Sequence, residues 1–489
     1  VRILTLTAET AAKNLALIER YGRLIEGVEV RLDFLNSTGE QSDESALRLL
    51  QAAKARNMTA LLSCRRKEDG GGWEGSEEER VNLLARALYP GFDYLDLEEA
   101  PPLPESGRRR LTAQAADQGT RLIGSLHSFD GVPRGWTELL KRIARAGRIP
   151  KLACTPQNFA SAVEVYRRSR SPEMPAEKIL LMMGGFGAFS RFLYRRIGSL
   201  ATFLSPPERK AVAWHPDPEQ FTMLYAADRI DEETPLYGVV GHPVHHSRSP
   251  ELHNHWLREA GLPGSYLPFQ VDRMESFLSF AHEAGVEGFS VTLPHKRRVM
   301  ELIDETSPEV ERIGACNTVL RERGRWRGYN TDMHGFLAPL ETELARGRLQ
   351  RALVVGGGGA ARTVAAALSS RGVDWVCVNR SFEKARELAE EAGGSWMPRE
   401  RAGEAAPFDL IVQTTSAGME PDVAEDPLPQ YRFGGGELVY ELIYAPEATR
   451  FLTRARQAGC ATIGGVHMLQ AQAREQFRLF TGGVTPPER

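Results

Sequence analysis

Long apolar runs are missing: no stretch of the 489 residues approaches the roughly 18 consecutive apolar positions that a spanning helix needs, which excludes such a helix. An excess of one charge is missing too. Lys and Arg number 61 against 64 Asp and Glu, a formal net charge of −3, so bulk electrostatics gives no reason to expect nucleic acid or a membrane surface as partner. Cysteine is scarce and scattered. Cys64, Cys154, Cys316, Cys377 and Cys460 form no C-x-x-C pair, which argues against structural zinc and a disulfide framework and for a reducing compartment. Val1 to Asn14 lacks the charged, apolar and small-residue order of a signal peptide, so the expectation is a cytoplasmic protein. What remains is ordinary globular material, 42% hydrophobic, 26% charged and 8% aromatic, which excludes wholesale disorder, collagen and coiled coil. At roughly 100–200 residues per domain the length suggests about three domains.

From residue 1 to about 225, short β-rich runs recur at the spacing of alternating strands and helices. They are Ile3–Leu6, Val28–Leu32, Thr59–Ser63, Tyr94–Leu97, Arg121–Leu126, Ile149–Ala153, Ile179–Met183 and Ala201–Phe203, with helical patterns such as Glu44–Ala55, Glu77–Leu88 and Trp136–Ala146 between them. Eight such units within roughly 200–250 residues predict a (β/α)8 barrel, while an open doubly wound sheet would also give the alternation. A Pro-rich and then acidic stretch, Ser205-Pro206-Pro207, Pro216-Asp217-Pro218 and Asp228–Glu233, suits a lid loop and linker, placing a boundary near Ile230.

Ala352-Leu353-Val354-Val355 reads as a buried strand, followed by Gly356-Gly357-Gly358-Gly359-Ala360-Ala361 and a helical pattern through Ser369. Gly356, Gly358 and Ala361 fit G-x-G-x-x-A. Small residues let the backbone approach a pyrophosphate, and Gly359 and Ala360 open a helix whose free N–H groups face the anion. Isolated glycine runs also occur in flexible loops, but the position between strand and helix favours a dinucleotide site. The next strand, Asp374–Val378, ends in Asn379-Arg380-Ser381, about where NAD enzymes place a ribose-binding carboxylate. An arginine there suits a 2′-phosphate, so the expected cofactor is NADP, and no metal is required.

Four strings lie upstream: Gly241-His242-Pro243-Val244-His245-His246-Ser247-Arg248-Ser249-Pro250, Val291-Thr292-Leu293-Pro294-His295-Lys296, Gly314-Ala315-Cys316-Asn317-Thr318 and Gly328-Tyr329-Asn330-Thr331-Asp332. Each alone could be a turn satisfied by its own side chains. Together they resemble the shikimate dehydrogenases across residues 236 to 485. The resemblance implies that Ser247 and Ser249 hold the shikimate carboxylate, with Arg248 where lysine is common. It further implies that Thr292, Asn317 and Gln472 grip ring hydroxyls, that Tyr444 lies near the substrate, and that Lys296 and Asp332 are the catalytic pair. Lysine oriented by aspartate can supply both a proton and a positive charge to a developing alkoxide.

In the first half, Lys151 sits inside the apolar run Ile149-Pro150-Lys151-Leu152-Ala153. A lysine there commonly snorkels to the surface; lining a barrel, its amine would instead be desolvated and uncharged, and able to form an imine. His127, Glu29, Arg31 and Arg65 also fall at C-terminal strand ends, where barrel sites are built. Glu29-x-Arg31, Arg65-Arg66-Lys67-Glu68-Asp69-Gly70-Gly71, the strand ending at His127, Pro150-Lys151 and Met183-Gly184-x-x-Gly187-x-x-Ser190-Arg191 resemble the type I 3-dehydroquinate dehydratases. The resemblance implies a Schiff base between Lys151 and 3-dehydroquinate, proton removal by His127, and a grip on hydroxyls and carboxylate by Glu29, Arg31, Arg65 and Arg191. Two departures stand out. Asp69 replaces a family glutamate that supports the histidine, and Val212-Ala213-Trp214-His215-Pro216-Asp217-Pro218 replaces the Ser-Ala-Pro-Gly-Gln lid.

The combined expectation is an α/β chain with a (β/α)8 dehydratase barrel at 1–229 and a dehydrogenase substrate lobe at 230–335. A Rossmann-type NADP lobe follows at 336–463, with helices at 464–489 returning to the substrate lobe. Such a chain converts 3-dehydroquinate to 3-dehydroshikimate and reduces that with NADPH to shikimate, its partners being these small molecules. Three alternatives stay open: a dehydrogenase with a structural barrel, a quinate dehydrogenase, and a non-catalytic metabolite sensor.

Overall fold

The computed structural model describes residues 1–35, 42–100, 102–209, 214–405 and 407–487. Eight parallel strands, β1 (Arg2–Leu6), β2 (Gly27–Arg31), β3 (Thr59–Ser63), β4 (Tyr94–Glu98), β5 (Arg121–Ser128), β6 (Ile149–Cys154), β7 (Ile179–Met182) and β8 (Thr202–Leu204), pair in the order β7-β6-β5-β4-β3-β2-β1-β8. The result is a nearly closed barrel in which, among the described residues, only β7 and β8 do not pair. Every residue of β2, β6 and β7 is buried, as expected for parallel strands covered on both faces.

Strand period then decides which side chains face inward. Ile123, Ile149 and Ala153 belong to an apolar cluster with Ile3, Leu61, Ile179, Leu181 and Phe203. Lys151 lies two residues from both Ile149 and Ala153, so it shares their face. By the same parity Asp96 and Glu98 on β4, and Ser125 and His127 on β5, turn to that face through the registers Glu98↔Ser125↔Lys151. Apolar residues thus fill the N-terminal end of the inner face, and charged ones collect toward its C-terminal end.

A second sheet contains β9 (Leu236–Gly241), β10 (Ser265–Gln270), β11 (Val286–Val291), β12 (Glu305–Thr306), β13 (Thr318–Glu322) and β14 (Arg325–Tyr329), in the order β10-β9-β11-β13-β14-β12. β13 and β14 form an antiparallel hairpin through Arg323 and Gly324, whose φ values of 51° and 80° match the twist of the strands they join. A third, all-parallel sheet contains β15 (Arg351–Val355), β16 (Asp374–Val378), β17 (Ser395–Trp396), β18 (Leu410–Gln413), β19 (Leu438–Glu441) and β20 (Ala461–Ile463), in the order β17-β16-β15-β18-β19-β20. This is the doubly wound dinucleotide-binding order, with its switch point between β15 and β18.

The chain divides into two compact units. One comprises Val1–Leu236 with Pro243–Pro250 and Pro263–Gly285; the other comprises Tyr237–His242, Glu251–Leu262 and Val286–Arg489. Within the first, Phe159, Tyr166 and Phe189 of the barrel half pack against Phe269, Phe277 and Phe280, with ring centroids 4.8 Å apart for Phe189 and Phe280. Among the described residues no helix is long and apolar enough to cross a membrane.

Candidate active sites

The barrel's inner face holds a ring of charges around one amine. Lys151 is 1% exposed; its Nζ donates to Asp96 Oδ2 at 2.6 Å and lies 4.4 Å from the Phe203 ring centroid. The expectation of a lone amine among aliphatic neighbours therefore needs correction, since Asp96, brought in from β4, makes it half of a buried ion pair. Glu29 accepts from the hydroxyls of Thr5 and Ser63, both at 3.0 Å, and lies 3.7 Å from Arg65. Burial pushes its carboxyl up, but Lys151, Arg31 and Arg65 together outweigh that and hold it at about 2. Arg31 makes a two-pronged contact with Asp33, at 2.9 and 2.5 Å, and Asp33 also accepts from the backbone N–H groups of Arg65 and Gly72. The Arg31 guanidinium is held above its ordinary range by Asp33 and Glu29, against its own burial.

His127 lies at the C-terminal end of β5, and neither ring nitrogen has a hydrogen-bond partner among the described residues. Burial, then Arg65, Lys151, Arg31 and Arg66, hold it well below the usual histidine range, so the ring is neutral. Asp69 does not support it. Arg66 Nε donates to Asp69 at 2.8 Å, and a shorter side chain with a cation three residues away pairs locally rather than reaching across to the ring. Arg191 is 5% exposed, and its NH1 donates to the Phe203 carbonyl at 3.2 Å. Among the described residues it has no carboxylate partner, and burial alone pushes it down to about 10.

Of the segment standing in place of the family lid, Val212 and Ala213 lie outside the described residues. His215 is buried, with Nε2 2.8 Å from the Phe203 carbonyl and Nδ1 3.1 Å from Ser205 Oγ. Asp217 Oδ1 accepts from the Gln220 backbone N–H at 2.8 Å, which turns that charge toward a helix start. Sequence reasoning missed Asp96, Asp33 and Ser63. Alternation in Tyr94-Leu95-Asp96-Leu97-Glu98, acids on one face of an otherwise apolar strand, was the available signal for Asp96.

In the second unit, Lys296 Nζ donates to Asp332 Oδ2, and Asp332 opens the helix Asp332–Leu337. Backbone bonds set this pair up: the Cys316 N–H donates to the Lys296 carbonyl at 2.8 Å, and the Asn317 N–H donates to that of Tyr329 at 3.2 Å. Asn317 is buried. Its Oδ1 accepts from the Thr331 N–H and Thr318 Oγ1, both at 2.8 Å, and its Nδ2 donates to Thr331 Oγ1 at 3.0 Å and Gln472 Oε1 at 3.5 Å. Thr292 follows β11, where its methyl packs so closely on Gly241 that a Cβ at 241 would lie 2.3 Å away. Tyr444 follows β19 and is half-buried. In the first unit, Ser249 opens the helix Ser249–Glu259 and its N–H donates to Ser247 Oγ at 3.3 Å.

The glycine-rich turn fits a dinucleotide. Gly356 has φ of 124°, and a Cβ there would meet Thr414 Oγ1 at 2.3 Å, so only glycine closes this turn. At Gly358 and Gly359, which cap and open the helix Gly359–Ser370, a Cβ would meet nothing within 4 Å; the space above the turn is open, and Ala360 follows in the first turn. Beside it lies a cavity of 130 Å³ lined by Asn379, Arg380, Arg399, Thr415 and Glu425 among others. Asn379 donates to the Ser381 carbonyl at 3.1 Å and Ser381 Oγ to Glu383 at 2.7 Å, so these two shape the loop while Arg380 is presented to the cavity. Sequence reasoning missed Arg399, which reaches the cavity from a separate segment.

Comparisons with known proteins bear on both units. The type I 3-dehydroquinase family matches residues 3–229, the shikimate dehydrogenase substrate binding domain residues 239–319, and the shikimate/quinate 5-dehydrogenase family residues 341–421. The chain is 40% identical over 270 residues to the NADP(+) shikimate dehydrogenase of Moorella thermoacetica, covering 53% of this chain and 92% of that one. A crystal structure of a shikimate dehydrogenase in complex with NADP+ superposes with a TM-score of 0.50 at 33% identity, covering 53% of this chain and 93% of the other. One relative spans both halves: the chloroplastic bifunctional 3-dehydroquinate dehydratase/shikimate dehydrogenase of Arabidopsis thaliana is 32% identical over 483 residues, 94% of this chain and 78% of its own. A dehydratase-like barrel and a dehydrogenase-like half thus occur here in one chain, as the name of that relative says of it, and this chain belongs to the family of bifunctional 3-dehydroquinate dehydratase/shikimate dehydrogenases.

Proposed function

We propose that the barrel dehydrates 3-dehydroquinate to 3-dehydroshikimate and that the second unit reduces this product to shikimate. The observation carrying the reading is the Lys151 amine, buried on the inner face against Asp96. After passing a proton to Asp96, Nζ adds to the C3 ketone, and loss of water gives an imine. The protonated imine draws electrons from C2, and neutral His127 takes the C2 proton. The C1 hydroxyl departs as water once protonated, and hydrolysis of the imine releases product and regenerates the amine. Glu29, Arg31 and Arg65 are suited to the hydroxyls. Arg191, a buried guanidinium without a carboxylate partner among the described residues, is suited to the substrate carboxylate. Asp69 is held by Arg66 and takes no direct part at His127.

In the second unit bound NADPH supplies a hydride to the C3 carbonyl. Lys296 stabilises the charge that develops on the oxygen and, with Asp332, delivers its proton. Thr292, Asn317, Tyr444 and Gln472 orient the ring, while the Gly356–Ala360 turn and Arg380 hold pyrophosphate and 2′-phosphate. Five buried, free cysteines suit a reducing compartment such as the cytoplasm.

A second reading, a reductase whose barrel is a scaffold, is favoured by the pairing of Asp69 with Arg66 instead of His127. One assay separates the two. Wild type given 3-dehydroquinate and NADPH should consume NADPH and form shikimate. Lys151→Ala should do neither from 3-dehydroquinate and lose borohydride trapping, yet reduce 3-dehydroshikimate normally. A wild type that shows no trapping and no turnover of 3-dehydroquinate makes the scaffold reading correct.

A further inference from the structure

β8 ends the strand order and, among the described residues, pairs with β1 alone. The Thr202 N–H donates to the Val1 carbonyl, so Thr202 and Leu204 direct their backbone groups toward β1 and Phe203 directs its own toward the unpaired edge. A buried carbonyl there needs donors that no strand supplies. It receives two from side chains: Arg191 NH1 at 3.2 Å and His215 Nε2 at 2.8 Å. Since a carbonyl only accepts, the Nε2 of a neutral His215 carries the proton, and its bare Nδ1 accepts from Ser205 Oγ at 3.1 Å. The Ser205 N–H donates in turn to the Pro216 carbonyl at 3.3 Å, tying the His215 segment along the strand end. Phe203 meanwhile carries its ring 4.4 Å from the Lys151 amine.

We infer that His215 is a positioning residue of the dehydratase site, standing in for the missing strand partner at the β7–β8 seam. It fixes the Phe203 carbonyl on which Arg191 is anchored, and through the same residue the ring beside Lys151. His215 and Pro216, within the stretch that replaces the family lid, therefore brace the carboxylate-binding arginine. This rests on the dehydratase reading of the barrel.

The test uses the full chain with His215→Ala, His215→Gln and His215→Asn. Glutamine reaches the Nε2 position and can still donate to the Phe203 carbonyl; asparagine reaches only the Nδ1 position. His215→Ala and His215→Asn should raise the KM for 3-dehydroquinate about tenfold, the value of one buried hydrogen bond, with a smaller fall in kcat. His215→Gln should stay near wild type, and all three should reduce 3-dehydroshikimate at the wild-type rate, reporting an intact fold. Backbone amide exchange at Thr202 and Leu204 should quicken in the Ala and Asn variants only, a readout independent of turnover. Equal impairment of Gln and Ala, an unchanged KM in Ala, or unchanged exchange in Ala would overturn the inference. A wild type without turnover or trapping sinks the dehydratase reading instead, and the exchange pattern still decides the role of His215.

Discussion

At the scale of single residues, the barrel site is organised by compensation among buried charges. Lys151, Arg31 and Arg65 face Glu29, Asp33 and Asp96, while Arg191 has no carboxylate partner among the described residues, which under the proposed function leaves it to the substrate. Asp96→Asn removes both the counter-charge and the proton acceptor of Lys151. Its dehydratase kcat should fall by about a hundredfold, with reduction of 3-dehydroshikimate unaltered as the internal control. His127 makes a prediction of opposite kind, because burial and four cations hold its folded pKa well below 6.5. The base form therefore persists in acid, and kcat/KM for 3-dehydroquinate should run flat through pH 6.5. An acid limb centred there would contradict the neutral ring with its two shielded nitrogens. The same shift has a stability consequence: below pH 6.5 the unfolded chain binds a proton at His127 that the folded chain refuses. Acid thus removes stability from pH 6.5 down to the folded pKa, at up to about 1.4 kcal/mol per pH unit. His127→Asn should lose that component, visible as a flatter dependence of the unfolding midpoint on pH.

At the scale of elements, alternation and turn chemistry were legible because they depend on near neighbours. The eight β-rich runs appear as strands whose ends differ by at most two residues, and the helices Ser42–Lys54, Glu77–Ala87 and Trp136–Arg145 match their patterns. Glu77–Ala87 is bounded by a capping box in which Ser76 and Glu79 each accept from the other's backbone N–H, a local signal. Gly356 was legible as part of a motif, but its close approach to Thr414 came only with the fold, since β18 carries that threonine's segment alongside β15. Gly356→Ala combines a positive φ with this clash. It should cost at least about 1 kcal/mol and abolish NADPH binding measured by titration, while the dehydratase reaction proceeds.

At the scale of the molecule, the two chemistries are less separable than a break near Ile230 suggests. Phe269, Phe277 and Phe280 come from beyond that point yet pack on Phe159, Tyr166 and Phe189 within one compact unit. Arg196 adds three backbone carbonyl contacts, to Asp231, Thr234 and Ala284. Phe280→Ala should destabilise this unit by about 3–5 kcal/mol. A fragment cut at residue 229 should expose the barrel half of the aromatic cluster, bind a hydrophobic dye and aggregate on heating. If that fragment unfolds with the midpoint of the first transition of the full chain, the cluster contributes nothing.

The sequence by itself determined the strand and helix alternation, the dinucleotide turn and which residues carry reactive groups, because these are set by spacing along the chain. Only the tertiary structure decided how those groups are paired. Lys151 and Asp96 are 55 positions apart and meet through β4, β5 and β6 in register. Asp69, by contrast, turned from the histidine to its neighbour Arg66. Charge partnership is a matter of distance through space, and folding brings together residues whose separation in the chain carries no information about that distance.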